Sequence, residues 1–387
     1  MKLSSRFEKI EPYLFVGISK TIAEKKAQGI DVISFGIGDP DIPTPEFIID
    51  SMKENSNDPL NHRYPESEGL PELRSSIVDW YQKRFNVSLD SEKEVVSLIG
   101  AKEGIGHASF CLIDSGDISI IPDPGYPVYA AGCNFAGGEV YKIPLLEKFG
   151  WLPELSKIPD HIKKRAKILW LNYPNNPTGA VADLDFFKEA IKFGKENDIA
   201  IMNDACYTEV TFDNYTAPSI LQIPGAKEIA VEFHSFSKTF NMTGWRLGFA
   251  VGNEKLVQSL LTVKSNLDSG VPQAIQYMGI EALKRSEEFL DINNGIYEKR
   301  RNKLVKALRK IGLEVPTPKA GLYLWCKIPK EYTSAQFTEL LLEKCDVVVT
   351  PGTGYGSSGE GFVRLSLTTP DDLVDQGIER ISKWNLI

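Results

Sequence analysis

Lys238 stands in an unusual setting for a lysine. It lies in His234-Ser235-Phe236-Ser237-Lys238-Thr239-Phe240, with Arg246 eight residues further on. Most lysines ride on solvated surfaces. This segment instead runs between two apolar stretches and is dense in hydroxyls and aromatics. A lysine amine in such a place can attack a carbonyl and can carry a proton. Ser235, Ser237 and Arg246 are the donor types that a phosphate needs. Arg364 sits in a second apolar run, Phe362-Val363-Arg364-Leu365-Ser366-Leu367. An arginine there is costly unless something pairs with it.

Further candidates punctuate the ends of apolar runs. Asp204, in Asn203-Asp204-Ala205-Cys206-Tyr207, reads either as a helix cap or as a carboxylate that keeps a ring nitrogen protonated. Asp123-Pro124-Gly125-Tyr126-Pro127-Val128-Tyr129 and Asn172-Tyr173-Pro174-Asn175-Asn176-Pro177-Thr178-Gly179 are turn sequences. Gly100-Ala101-Lys102-Glu103-Gly104 reads equally as a structural turn or as a helix start that receives an anion. The glycine-rich run 352–361 has no Walker lysine, so it reads as the loop entering the Arg364 strand.

These residues need a scaffold. Short runs at 95–99, 118–121, 140–143, 168–171, 199–203, 229–233 and 247–251 alternate with helical patterns such as 183–196. Several are almost continuously apolar, as in strands covered on both faces, which predicts an α/β domain with a mostly parallel sheet. Between 285 and 310 no proline occurs, and Phe289, Ile292, Ile296, Leu304 and Leu308 could share one face of a long helix. Beyond it, 322–326, 347–349 and 362–367 read as strands of a smaller α+β unit. A helix at 16–28 and a strand at 32–35 are assigned to that unit too. The expected division is a large domain over 44–284 and a small, discontinuous one over 1–43 and 285–387.

The chain has 387 residues, 42% apolar and 25% charged, which suits a soluble globular protein with a large core. The formal net charge of −8 gives no support to a nucleic-acid partner. No bilayer-spanning run or signal-peptide core is visible, and the expected location is cytoplasmic. The five cysteines never form a C-x-x-C pair, and the four histidines lack metal-ligand spacing. Reduced thiols and no metal are expected.

Taken as an ordered set, Ser-x-Ser-Lys, Asn-Pro-Thr-Gly, Asp-x-x-Tyr and the two arginines resemble the class I and II aminotransferases, which use pyridoxal phosphate (PLP) and have PLP fold type I. The likeness runs from Tyr13 to Arg364. It implies that Lys238 carries the cofactor as a Schiff base and moves the substrate proton. It places Asp204 at the pyridine nitrogen and Tyr207 and Asn176 at the phenolic oxygen. Tyr126 would stack on the ring. Ala101, Lys102, Ser235, Ser237 and Arg246 would hold the phosphate. Tyr64 would reach the phosphate of a neighbouring subunit, which implies a homodimer with shared sites. Arg364, Gly38 and Asn176 would hold the substrate carboxylate, with Tyr13, Lys102 and Tyr126 also at the substrate.

Within that family, Glu11-Pro12-Tyr13-Leu14-Phe15, Gly36-Ile37-Gly38-Asp39-Pro40-Asp41, Asp123-Pro124-Gly125-Tyr126-Pro127-Val128-Tyr129 and Thr350-Pro351-Gly352-Thr353-Gly354-Tyr355-Gly356 are similar to the LL-diaminopimelate aminotransferases. These pass an amino group from LL-2,6-diaminopimelate to 2-oxoglutarate in lysine biosynthesis. The plant-type members carry a glutamate where this chain has Ser67, and an asparagine that aligns with Gly270. Aspartate, alanine, methionine or aromatic amino acids therefore stay open as donors. A PLP-dependent Cβ lyase on the same fold is the alternative reaction, and a ligand-sensing module the non-enzymatic one.

Overall fold

The computed structural model describes residues 1–10 and 14–384. Its largest sheet has seven strands: β2 (Val95–Leu98), β3 (Ile118–Asp123), β4 (Glu139–Pro144), β5 (Ala166–Asn172), β6 (Ala200–Asp204), β7 (Ala230–Ser235) and β8 (Gly248–Gly252). Their spatial order is β2-β8-β7-β6-β5-β3-β4, and only β8 runs against its neighbours. All seven runs expected to be strands are strands, within one to two residues at each end.

The reason for their continuous apolarity is visible along β5. Ile168 and Trp170 enter one core, while Leu169 and Leu171 enter another on the opposite face. Phe186, Phe187, Ala190 and Ile191 of the helix Leu184–Asn197 cover one face. Ile105 and Ala108 of the helix Ala101–Leu112, with Val257 and Leu260 of the helix Glu254–Leu267, cover the other. Each fully buried Val, Leu, Ile or Phe side chain contributes about 1.5–3 kcal/mol.

A third core gathers both ends of the chain. Strand β1 (Ile33–Ser34) pairs in parallel with β10 (Val347–Val348). Strands β11 (Thr350–Pro351), β12 (Phe362–Ser366) and β9 (Tyr323–Lys327) form an antiparallel sheet in that order. Phe35, Leu304, Leu324, Phe337, Leu365 and Ile381 pack together there.

The helix Ser286–Lys310 is continuous over 25 residues, about 37 Å by its rise. Its buried face keeps Leu304 and Leu308, as expected, but leaves out Ile292. Ile292 is 68% exposed, while Asn293, Tyr297, Arg300, Arg301, Leu304 and Leu308 are buried. Polar anchoring sets this register. Asn241 donates to Asn293 at 3.0 Å, and Arg300 forms a two-pronged pair with Asp41 at 2.7 and 2.9 Å. Among the described residues, no helix is long and apolar enough to cross a membrane.

Candidate active site

Strands β2, β3, β5, β6 and β7 end on one edge of the large sheet, and β8 begins there. That edge is where open α/β sheets bind ligands. Strand β7 stops at Ser235, whose hydroxyl accepts the Ser237 N–H at 3.2 Å and starts a single helical turn, Phe236–Thr239. The turn carries Lys238, whose Nζ donates to the Gly38 carbonyl at 2.8 Å. The partner comes from a segment 200 residues away in sequence.

At the end of β6, Asp204 is buried and accepts from the Tyr129 hydroxyl at 2.7 Å. Burial raises its carboxyl above the ordinary range. Bonds from Cys206 and Tyr129 and the charge of His234 oppose that rise without cancelling it. Asn172, at the end of β5, stitches two loops together. Its Nδ2 donates to the Asp204 carbonyl at 2.7 Å, and its Oδ1 accepts the Asn176 N–H at 2.8 Å.

Arg364 is wholly buried on β12. It donates to Asn176 Oδ1 at 2.9 Å and to the Gly36 carbonyl at 2.8 Å. The Tyr323 ring lies 4.0 Å from its guanidinium carbon and the Tyr355 ring 4.9 Å. Aromatic faces and carbonyl-type acceptors around the guanidinium help to make a buried cation tolerable. The Tyr207 hydroxyl is 3.0 Å from that of Tyr323. Burial, followed by the Tyr323 neighbour, holds the Tyr207 phenol well above its usual range. It therefore keeps its proton at neutral pH and can donate.

A second set of donors adjoins Lys238. Arg246 adopts left-handed backbone (φ 56°), a strained choice for a non-glycine residue that tends to mark functional turns. Its Nη1 donates to the Ser237 hydroxyl at 3.3 Å and the Thr243 carbonyl at 2.9 Å. Gly100, also left-handed, precedes the helix that Ala101 and Lys102 begin. A side chain at Gly100 would collide with Arg246 Nη2. The guanidinium thus lies close to the helix N-terminus, where partial positive charge collects.

A model of the family described as aminotransferase class I and II matches residues 30–381. The chain belongs to that family. Relatives named LL-diaminopimelate aminotransferase are similar over their whole length. That of Dehalococcoides mccartyi is 55% identical over 384 residues, 99% of each chain. That of Moorella thermoacetica is 49% identical over 383, covering 99% of this chain and 98% of the relative. Among solved structures, substrate-bound BacF from Bacillus subtilis matches with a TM-score of 0.95 at 36% identity, over 100% of this chain and 98% of that one. An aspartate aminotransferase mutant from Thermus thermophilus matches at 0.92 and 27% identity, over 99% of each. The architecture of this aminotransferase is fold type I, as the sequence resemblance implied.

Most of the candidate residues of the aminotransferase sequence converge. Gly38, Asn176, Tyr207, Lys238 and Arg364 are joined through direct contacts or through Tyr323, and Asp204 through Asn172. Ala101, Lys102, Ser235, Ser237 and Arg246 sit around the adjoining turn, and Tyr126 is half-buried with its ring 5.8 Å from that of Tyr129. Tyr64 does not join them; it is 92% exposed. Tyr13 lies outside the described residues. No sequence motif points to Tyr323, yet it touches three site residues, since a side chain on Gly38 would strike its hydroxyl. The one sequence signal is a phenol interrupting the apolar run Leu322-Tyr323-Leu324-Trp325. Tyr129 and Asn172 fall inside turn motifs that assign them no role.

Proposed function

We propose that this aminotransferase carries pyridoxal 5′-phosphate on Lys238 and transfers the amino group of LL-2,6-diaminopimelate to 2-oxoglutarate. The observation that carries the reading is the convergence of one lysine, one buried carboxylate and one buried arginine at the same sheet edge. The donor set fits the cofactor. A buried carboxylate whose protonation is favoured by desolvation gains from a cationic ring nitrogen beside it. The turn formed by Gly100, Ala101 and Lys102, with Arg246, Ser235 and Ser237, suits a phosphate dianion. Relatives named for LL-diaminopimelate, at 55% and 49% identity along the chain, support the donor.

When bound, the cofactor supplies an electron sink for the charge left at the substrate Cα. The residues of the chain do the rest. Lys238 would hold the cofactor through its amine and, when free, would act as the base that takes the proton from the substrate Cα. Asp204 would keep the ring nitrogen protonated, Tyr207 and Asn176 would donate toward the phenolic oxygen, and Tyr126 would pack on the ring. Arg364, Asn176 and the Gly38 backbone hold the α-carboxylate and so fix the Cα–H bond toward Lys238. Lys102 and Tyr13 are assigned to the substrate as well. Two half-reactions of this kind give ping-pong kinetics.

We assign a large domain to 44–284 and a small one to 1–43 and 285–387. The gathering of both chain ends into one core supports this division. The working form is a cytoplasmic homodimer, and the exposure of the Tyr64 ring supports a role for it toward a partner.

The test is a panel of half-reactions followed by cofactor absorbance, with LL- and meso-diaminopimelate, aspartate, alanine and aromatic amino acids as donors. LL-diaminopimelate should convert the cofactor fastest, and 2-oxoglutarate should restore it. Fast conversion by aspartate but not LL-diaminopimelate would overturn the donor. Release of ammonia and pyruvate from a single amino acid would establish a lyase instead. Lys238→Ala should lose the visible band and at least about 10³-fold of turnover.

A further inference from the structure

Lys264 is a lysine with no place in that reaction, yet its side chain is wholly shielded from water. It projects from the helix Glu254–Leu267 toward the helix that starts at Ala101. Its Nζ is 3.2 Å from both carboxylate oxygens of Glu103 and 3.5 Å from Asp268 Oδ1, and it donates to the Ser269 carbonyl at 2.9 Å. His107 Nδ1 lies 3.4 Å from Glu103 and 3.8 Å from Asp268. Glu103, His107 and Asp268 bring ligand-type atoms within 4.8 Å of one another. The Lys264 ammonium supplies the cation for these carboxylates.

The position of Glu103 gives this cluster its meaning. Glu103 is the third residue of its helix, and its carboxylate turns back to accept the N–H of Ile99. It thus ties the strand end to the first helical turn and fixes the bend through Gly100. The N–H groups of that turn, with Arg246, form the cradle assigned to the cofactor phosphate. A bare carboxylate at the third position would oppose the dianion that the turn receives, because low-dielectric surroundings screen the repulsion poorly. Burial alone would raise the Glu103 carboxyl. Its contacts with His107, Lys264 and the Ile99 N–H outweigh burial, so it stays ionised, and the counter-charge is needed.

We propose that Lys264 is a positioning residue for phosphate binding. Its ammonium neutralises Glu103, so that this carboxylate can hold the turn 99–102 in shape without repelling the phosphate. The same ammonium grips the loop at Ser269. The next residue, Gly270, packs so closely on the Glu66 carbonyl that an added side chain would collide with it. The inference rests on the PLP reading above.

The test compares two ligands that differ only in the phosphate. Apoenzyme is titrated with pyridoxal phosphate and with pyridoxal, and binding is read by absorbance. Lys264→Met should raise the Kd for pyridoxal phosphate about tenfold or more and leave that for pyridoxal within about twofold. Adding Glu103→Gln to Lys264→Met should return the pyridoxal phosphate value to within about threefold of the parent, since the uncompensated charge is gone. Equal losses for both ligands, an unchanged ratio in a folded variant, or failure of the second substitution to restore binding would each overturn the proposal. If Lys264→Met does not fold, Lys264→Gln carries the same readout with a donor kept toward Glu103 and Ser269. A parent apoenzyme that binds neither ligand would overturn the cofactor reading itself, which is a distinguishable result.

Discussion

Asp204 illustrates how one residue carries opposed demands. Its folded carboxyl is raised by burial, against the bonds from Cys206 and Tyr129. A raised carboxyl contributes stability that is complete below the unfolded value and is lost as pH rises through the folded one. Above that folded value the ionised group is therefore a cost to the cofactor-free fold, and a cationic partner relieves that cost. Asp204→Asn should leave the apoprotein as stable as the parent or more so at neutral pH, as read by thermal melting. The same change should cut turnover about 10²–10³-fold. A marked fall in apoprotein stability would mean that the charge serves the fold rather than the chemistry.

Single elements decide where these residues meet. The turn before the helix Ala101–Leu112 depends on Gly100, whose φ of 74° strains any side chain and whose added Cβ would also displace the Arg246 guanidinium. Gly100→Ala should destabilise the protein by about 1–2 kcal/mol and weaken pyridoxal phosphate binding with it. Urea unfolding and cofactor titration check both, and unchanged values would show that the turn relaxes freely. The strands are legible in the sequence because the large sheet buries both faces, so each leaves an apolar run of the right length. The long helix is legible as a helix, and Leu304 and Leu308 as part of its buried face, but its polar anchors and the exposure of Ile292 are not. Apolar periodicity favours Ile292, whereas hydrogen bonds from Asn241 and ion pairs of Arg300 and Arg301 turn the neighbouring face inward. Such partners lie 52 to 259 residues away, beyond the reach of any local pattern.

At the scale of the whole molecule, the proposed function requires that Tyr64 of one subunit serve the site of the other. Lys238→Ala and Tyr64→Ala proteins should each be nearly inactive alone. After subunit exchange at equal amounts, about a quarter of parental activity should return, because each mixed dimer holds one intact site. No recovery, with exchange verified by mass, would place Tyr64 outside the shared site. The motifs that imply the proposed cofactor chemistry, and their order, are legible in the amino-acid sequence alone. Lys238, Asp204, Asn176 and Arg364 each sit in a short motif at the end of, or within, an apolar strand, and such motifs are local. The groups that support them emerge only from the tertiary fold. Tyr323 lies against Arg364 and Tyr207, Tyr129 under Asp204, and Lys264 behind the phosphate turn. The physical reason is that a buried charge is stable only beside a matched partner, and the fold draws that partner from a distant part of the chain.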